Sequence, residues 1–143
     1  MKLTINHGAT LADLIAACNF ARMLEEVYVK YGNILFPIER QDIVKAEFEV
    51  FPSPHEHTST IQALTIINRS GMRPANIREI LTYTANIEGR LPDIVALGSI
   101  IQIEKQRAEV PSVGSDITGR LLATAYTCDR FAKTTGFLGV KEL

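Results

Sequence analysis

Two histidines flank a glutamate at His55, Glu56 and His57. Histidine nitrogen and carboxylate oxygen are common zinc ligands, and residues two apart in an extended chain point to the same side. A zinc site needs three or four ligands, however, and no third histidine or cysteine stands at a recognised spacing, so His7 would have to join through a tertiary contact. Because two prolines precede the segment and a helix follows it, a solvated polar loop is the simpler interpretation. We therefore predict no metal and no other cofactor.

A second candidate is the polar segment of residues 112–120, SVGSDITGR. Its two glycines, its hydroxyl side chains and Arg120 could form a backbone nest for a phosphate or carboxylate. A Walker-type loop requires Gly-Lys-Ser/Thr leading into a helix, and that motif is absent here. Glycine and polar residues between two apolar runs are also typical of a hairpin turn. We favour the β-hairpin connection.

Two helices are expected at residues 59–69 and from Pro74 to about residue 88, with a short link between them. This arrangement suggests a compact helical hairpin and, as one hypothesis, a helix-turn-helix that presents Asn76, Arg78 and Glu79 to DNA. Local positive charge would come from Arg69, Arg73, Arg78 and Arg90. Acidic neighbours and a net charge of −1 dilute any basic face, so nucleic acid is not the partner we favour.

Neither a serine nor a cysteine shows the setting of a nucleophile. Ser99 lacks the GxSxG elbow, because Ile101 stands where the second glycine belongs. Cys18 and Cys128 are 110 positions apart in apolar segments, which favours free buried thiols over a disulfide. Burial in an apolar helix face raises the pKa of a thiol and makes it unreactive, so no catalytic residue is predicted.

The remaining polar residues that interrupt apolar strands define a predicted binding site. If a pocket exists, we expect it between the C-terminal strands and the helical hairpin. The side chains that would converge there are Asp93, Arg120, Tyr126, Asp129 and Arg130.

Hydrophobic periodicity indicates the elements that would position these residues. Residues 2–6 and 43–51 alternate between apolar and polar side chains, which is typical of a half-buried strand. Apolar residues at helical spacing predict a helix over residues 11–31, with residues 19–23 as the place where it could end and a strand begin. A buried strand bent at Gly98 is expected over residues 93–104, and two more strands over 119–127 and 136–141.

Strands dominate the C-terminal third and helices the middle, which favours an α+β fold over alternating βαβ units. We expect one domain over residues 1–143, with a mainly antiparallel sheet of four to five strands and about three helices packed on one face.

Composition narrows the class of function. The chain has 143 residues, 15 basic and 16 acidic, and a hydrophobic fraction of 46%, which suffices for a packed core. No apolar stretch is typical of a signal peptide or a membrane span, so we expect a cytoplasmic protein with no membrane partner. Because no catalytic constellation accompanies this core, we expect a non-enzymatic binding or protein-interaction module, a homodimer. The alternatives are a small-molecule enzyme with a site formed only in the tertiary structure, or a DNA-binding regulator acting through residues 59–88.

Overall fold

The computed structural model describes residues 1–23, 28, 32, 36–104, 107–127 and 130–143. Its strands are β1 (Lys2–Asn6), β2 (Phe20–Met23), β3 (Ile43–Pro52), β4 (Arg73–Pro74), β5 (Ile94–Val95), β6 (Ile101–Glu104), β7 (Arg107–Asp116), β8 (Gly119–Tyr126) and β9 (Gly136–Glu142). The helices of this described part are α1 (Leu11–Ala16), α2 (Thr60–Arg69) and α3 (Ile77–Ala85). A membrane span needs about 20 apolar residues, and none of these three helices is long and apolar enough to cross a bilayer.

All nine strands belong to one mixed sheet, in the order β1-β3-β9-β5-β7-β8-β2, with β4 added to β9 and β6 to β7. Most neighbours are antiparallel, but β5 runs parallel to β9 and β2 runs parallel to β8. The prediction of four to five antiparallel strands is therefore wrong. Strands β4 and β5 have two residues each, and a period of two cannot be recognised over such a length.

Pro111 explains why residues 93–104 form two short strands and not one. Strand β5 pairs with β7 through Ile94 and Val113, and the amide of Ala96 donates to the carbonyl of Pro111 at 3.0 Å. Pro111 has no N–H to return, so the ladder stops there. The chain leaves the sheet, and β6 resumes pairing with β7 at Ile101 and Glu109. Residues 110–114 thus form the middle of a ten-residue strand.

The helices cover both faces of the sheet, which corrects the prediction that they pack on one face. Helix α3 contributes Ile80 and Leu81 to a first core cluster that includes Leu138. Helix α2 contributes Ile67 to a second core cluster that includes Phe137. Successive strand residues point to opposite faces, so burial of both Phe137 and Leu138 requires cover on each side.

Helix α1 ends at Ala16, so the helix predicted over residues 11–31 does not extend through residues 17–23. Asn19 has φ of 55°, the left-handed conformation that asparagine tolerates and that ends a helix. The chain then pairs with β8 as β2 (Phe20–Met23). Of the rest of the predicted helix, residues 24–27 and 29–31 lie outside the described residues.

Candidate functional site

A cleft with a volume of about 410 Å³ opens at the N-terminal end of helix α3. Its walls come from five separate parts of the chain: the end of β1, the segment after residue 36, β4 with the start of α3, the loop before β6, and the end of β9. The titratable residues that line the cleft are His7, Glu39, Arg40, Arg73, Arg78 and Glu142. Pockets for small ligands typically have volumes of about 300–1,000 Å³, so the cleft is large enough for a metabolite.

Helix α3 is held rigidly where it meets the cleft. Asn76 and Glu79 form a capping box, in which each side chain accepts from the other residue's backbone N–H at 2.9 Å. The backbone N–H of Ile77 donates to the hydroxyl of Ser99 at 2.8 Å. Three amides at the start of α3, those of Asn76, Ile77 and Glu79, are therefore occupied, and the helix end adds to the cleft mainly the positive potential of its dipole.

An ion-pair network fixes one wall of the cleft. Arg73 donates to both carboxylate oxygens of Glu79, at 2.7 and 2.6 Å, and Glu79 is fully buried. Arg40 donates to Glu142 at 2.6 Å and also binds Asp42, while Arg73 reaches Glu142 at 3.5 Å. The hydrogen bond from Arg40 lowers the pKa of Glu142 below its usual value. Glu142 is therefore an anion that shares Arg40 with Asp42 and Arg73 with Glu79.

His7 lies beside this network with only 3% of its surface exposed. Its Nε2 is 3.8 Å from Oε1 of Glu142 and forms no hydrogen bond among the described residues. Burial lowers the pKa of His7, as does Arg40, whereas Glu79, Asp42 and Glu142 oppose this shift. At neutral pH His7 is therefore an uncharged imidazole with one buried nitrogen at the cleft.

Arg78 is the cleft arginine that lacks a carboxylate partner within the described part of the chain. It is 8% exposed, and its Nη2 donates to the backbone carbonyl of Phe36 at 3.0 Å. Its Nε has no hydrogen-bond partner among the described residues. Burial lowers the pKa of Arg78, and the charge of Glu39 opposes this shift. The guanidinium still carries a positive charge at neutral pH, because an unperturbed arginine has a pKa above 12.

Gly98 lets the loop before β6 close the cleft. Its N–H donates to the carbonyl of Ala75 at 2.8 Å. A Cβ at this position would lie 2.6 Å from the carbonyl oxygen of Pro74 and 2.7 Å from that of Ala75. Such distances are too short for a side chain, so only glycine allows this approach.

The residues of the predicted binding site do not meet in one cavity. Asp93 is exposed and lines a largely apolar groove over β5, β7 and β8, whereas Arg120 lines a different cavity beside the end of α3. Tyr126 stands six positions from Arg120 on β8, which places the two about 20 Å apart. Arg130 is exposed, and Asp129 lies outside the described residues.

Arg120 has a structural use that its sequence position does not indicate. Its guanidinium donates to the backbone carbonyls of Thr84 at 2.9 Å, Gly89 at 3.1 Å and Cys18 at 3.2 Å, and it also contacts the carbonyl of Ile87. The carbonyls of Thr84, Ile87 and Gly89 lie at and beyond the C-terminal end of α3, where backbone acceptors have no partner within the helix, and that of Cys18 follows the end of α1. Arg120 therefore joins β8 to the end of α3.

The other candidates separate in a similar way. His55 and His57 are both exposed, and no group of three or more His, Cys, Asp or Glu side chains suited to a metal occurs among the described residues. Residues 112–120 form the predicted hairpin, in which Asp116 pairs with Gly119. Cys18 is a free, buried thiol whose pKa burial raises to about 12, and Cys128 lies outside the described residues.

The predicted helical hairpin is not formed. Helices α2 and α3 belong to different core clusters on opposite faces of the sheet, and β4 lies between them in the chain. Pro74 belongs to β4 and not to the first turn of α3, whose cap is Asn76. A helix-turn-helix places its two helices against each other, so the geometry that suggested DNA recognition is absent from this segment.

Sequence reasoning missed the cleft because its residues are far apart in the chain. His7, Arg40, Arg78 and Glu142 belong to four distant segments, and no spacing rule connects them. One local signal was present: Asn76 and Glu79 stand three residues apart before an apolar run, as in a capping box. That signal locates the start of α3, and with it Arg78, at a helix N-terminus.

Comparisons with known proteins do not identify a relative. The chain matches no protein-family model, no curated protein and no solved structure.

Proposed function

We propose that this chain is a non-enzymatic binding module that holds a small polar ligand in the cleft at the start of α3. The supporting observation is the pair of buried nitrogens, Nε2 of His7 and Nε of Arg78, that have no hydrogen-bond partner in the described part of the chain. Folded proteins leave few buried polar atoms unpaired, because each costs about 1–3 kcal/mol. A bound ligand in the cleft would supply the missing acceptors.

The walls around these nitrogens suit binding more than proton transfer. Glu142 is ion-paired and has a lowered pKa, so it holds no proton to donate at neutral pH. Ser99 uses its hydroxyl oxygen to accept from the amide of Ile77. The capping box and the Arg73–Glu79 pair hold the site in place before a ligand arrives, which reduces the entropic cost of binding.

An NMR screen of the ¹⁵N-labelled chain against a library of small charged and neutral polar molecules tests this proposal. We expect hits that shift the amide signals of His7, Arg78 and Ser99 together. If every hit shifts only amides outside the cleft, or if nothing binds at millimolar concentration, the proposal is wrong. Conversion of a bound molecule into a product during the titration would instead favour the enzyme alternative.

We further propose that the module is a cytoplasmic homodimer that pairs through the outer edge of β1. The amino group of Met1 donates to the carbonyl of Phe48, and the amide of Phe48 donates to the carbonyl of Met1. Hydrogen-bonded pairs alternate along an antiparallel ladder, so the backbone groups of Lys2 and Thr4 point away from β3. A second copy of β1 could pair with that edge about a twofold axis. The free thiol of Cys18 suits a reducing compartment.

Light scattering at tens of micromolar tests the dimer. Thr4→Pro removes an outward N–H without removing a bond to β3, so we expect this variant to be a monomer with nearly unchanged stability. The control is Lys133→Ala, a change at an exposed position outside β1, which should leave the oligomeric state unchanged. A monomeric native chain at this concentration would exclude the homodimer.

A further inference from the structure

The chemistry of the cleft indicates the class of ligand, an inference that rests on the proposed binding function. We propose that the cleft binds an oxyanion, a carboxylate or phosphate group, which Arg78 and His7 hold together. Three features of the cleft support this proposal: the charge of Arg78, the donors of Arg78 and His7, and the charged groups around them.

The first step is that Arg78 is a buried cation that forms no ion pair with a carboxylate of the described residues. The other two cleft arginines are paired, Arg73 with Glu79 and Arg40 with Asp42 and Glu142. Arg78 has no carboxylate within 4 Å among the described residues and donates only to a neutral carbonyl, that of Phe36. A buried charge without a partner is strongly unfavourable, and a ligand anion would compensate it.

The second step is that the free donor of Arg78 belongs to a planar fork. A guanidinium presents parallel N–H groups that match the two oxygens of a carboxylate or phosphate. Nε of Arg78 has no acceptor in the part of the chain that the structure describes, and Nη2 has a second hydrogen besides the one that it donates to Phe36. His7 lines the same cleft, and its buried Nε2, which has no hydrogen-bond partner among the described residues, would donate from the tautomer, or the protonated form, that carries its proton there.

The third step is the balance of charge. Three arginines line the cleft, and two of them, Arg40 and Arg73, already face the carboxylates of Asp42, Glu79 and Glu142. Because Arg40 and Arg73 hold Glu142, Arg78 is the cleft arginine that remains for an incoming anion in the described part of the chain. The N-terminal end of α3 adds a positive partial charge, because the helix dipole is oriented towards Asn76. Glu39 also lines the cleft. Its side chain is exposed, and its negative charge interacts with the positive charge of Arg78.

Titrations of the native chain with inorganic phosphate, propionate and the neutral analogue propionamide test the proposal, with binding followed by amide shifts at low ionic strength. We expect phosphate or propionate to shift the amides of His7 and Arg78 and to bind at least tenfold more tightly than propionamide. Tighter binding of phosphate than of propionate would indicate a phosphate ligand, and the reverse order would indicate a carboxylate ligand. Equal binding of propionate and propionamide in the cleft would overturn the oxyanion inference and leave the binding function standing. Absence of any cleft binding, by these probes or by the library, would overturn both.

Two substitutions of opposite effect complete the test. Arg78→Gln should weaken binding of the preferred anion at least tenfold. Its control is Arg69→Gln, which removes a positive charge from the exposed end of α2 and should leave the affinity within twofold. Because Arg78 is buried and also bonded to Phe36, its replacement changes the fold as well as the site, so Glu39→Gln provides an independent measurement on an exposed residue. Loss of this acid should tighten anion binding two- to fivefold, with the gain reduced at high salt. Unchanged or weaker binding by Glu39→Gln would contradict the proposal, whatever the fate of the Arg78 variant.

Discussion

Arg73 and Glu79 form a two-bonded ion pair, 2.7 and 2.6 Å long, between the two-residue strand β4 and the first turn of α3. The carboxylate of Glu79 is fully buried, whereas the side chain of Arg73 is 43% exposed. Since β4 pairs with β9, this ion pair connects α3 to the centre of the sheet. Arg78, which lines the cleft, directly precedes Glu79 in α3.

Loss of the Glu79 carboxylate should therefore reduce stability. Glu79→Ala removes both bonds to Arg73 and leaves the backbone N–H of Asn76 without its acceptor. We expect the free energy of unfolding to fall by about 3 kcal/mol, the lower end of the range for breaking a buried pair, because Arg73 regains contact with water. Urea denaturation measures this change. Glu49→Ala, at an exposed position of β3, should change stability by less than about 0.5 kcal/mol, and equal effects at the two sites would contradict the prediction.

Substitution of Gly98 should disturb both the fold and the cleft. In Gly98→Ala the new methyl group would lie 2.6 and 2.7 Å from two carbonyl oxygens, so the loop must move. We expect a loss of about 1–3 kcal/mol, the usual cost of forcing an extra methyl group into a packed site. Gly89→Asn is the control, because asparagine tolerates the left-handed φ of 78° there and a Cβ at Gly89 meets no atom within 4 Å. A native-like melting temperature for Gly98→Ala would show that the loop is not held in this position.

His7 should make stability depend on pH. The folded chain lowers the pKa of His7 from its usual value of 6.5, so below pH 6.5 the unfolded chain binds a proton that the folded chain does not. The contribution of His7 to the free energy of unfolding is therefore complete above pH 6.5 and is lost as the pH falls towards its lowered pKa. Asp42 and Glu142 also have lowered pKa values, but their contributions are lost below pH 4.5.

Urea denaturation at intervals between pH 5 and pH 7.5 measures the effect of His7. His7→Gln should flatten the slope in this window, while His55→Gln, at an exposed loop position, should leave the slope unchanged. A slope that survives in His7→Gln would mean that another group is responsible.

Arg120 should contribute to stability and not to the cleft. Arg120→Ala leaves the carbonyls of Thr84, Gly89 and Cys18 without this donor, and we expect a loss of about 1–3 kcal/mol, the usual range for removing a donor from partly buried acceptors. Arg130→Ala, at an exposed position, serves as the control. Anion binding in the cleft by Arg120→Ala, measured by NMR at a temperature where the variant is folded, should match that of the native chain. A selective loss of binding would instead support the binding role predicted for Arg120.

Individual elements show where local sequence patterns were sufficient. Strict alternation predicted β3, and the structure confirms a strand there, extended by one residue to Pro52. The helix predicted over residues 59–69 forms as α2, with Ser59 as its cap. In both segments the signal lies within a few neighbouring residues, because side chains two apart on a strand, or three to four apart on a helix, share a face.

Other features depended on residues distant in the chain. Two residues become strand β5 only because β9 and β7 lie on either side of Ile94 and Val95. Helices α2 and α3 reach opposite faces because β4 joins the sheet between them, and their own sequences carry no mark of this separation.

The sequence alone determined most of the longer elements. It also showed a composition without a recognisable reaction motif. The tertiary structure decided that Arg78 and His7 share a cleft, that Arg120 serves the end of α3, and that Asp93 lines a different cavity from Arg120. The physical reason is range: backbone periodicity acts over a few residues, whereas the energy of a charge depends on every group that folding brings within a few ångströms of it.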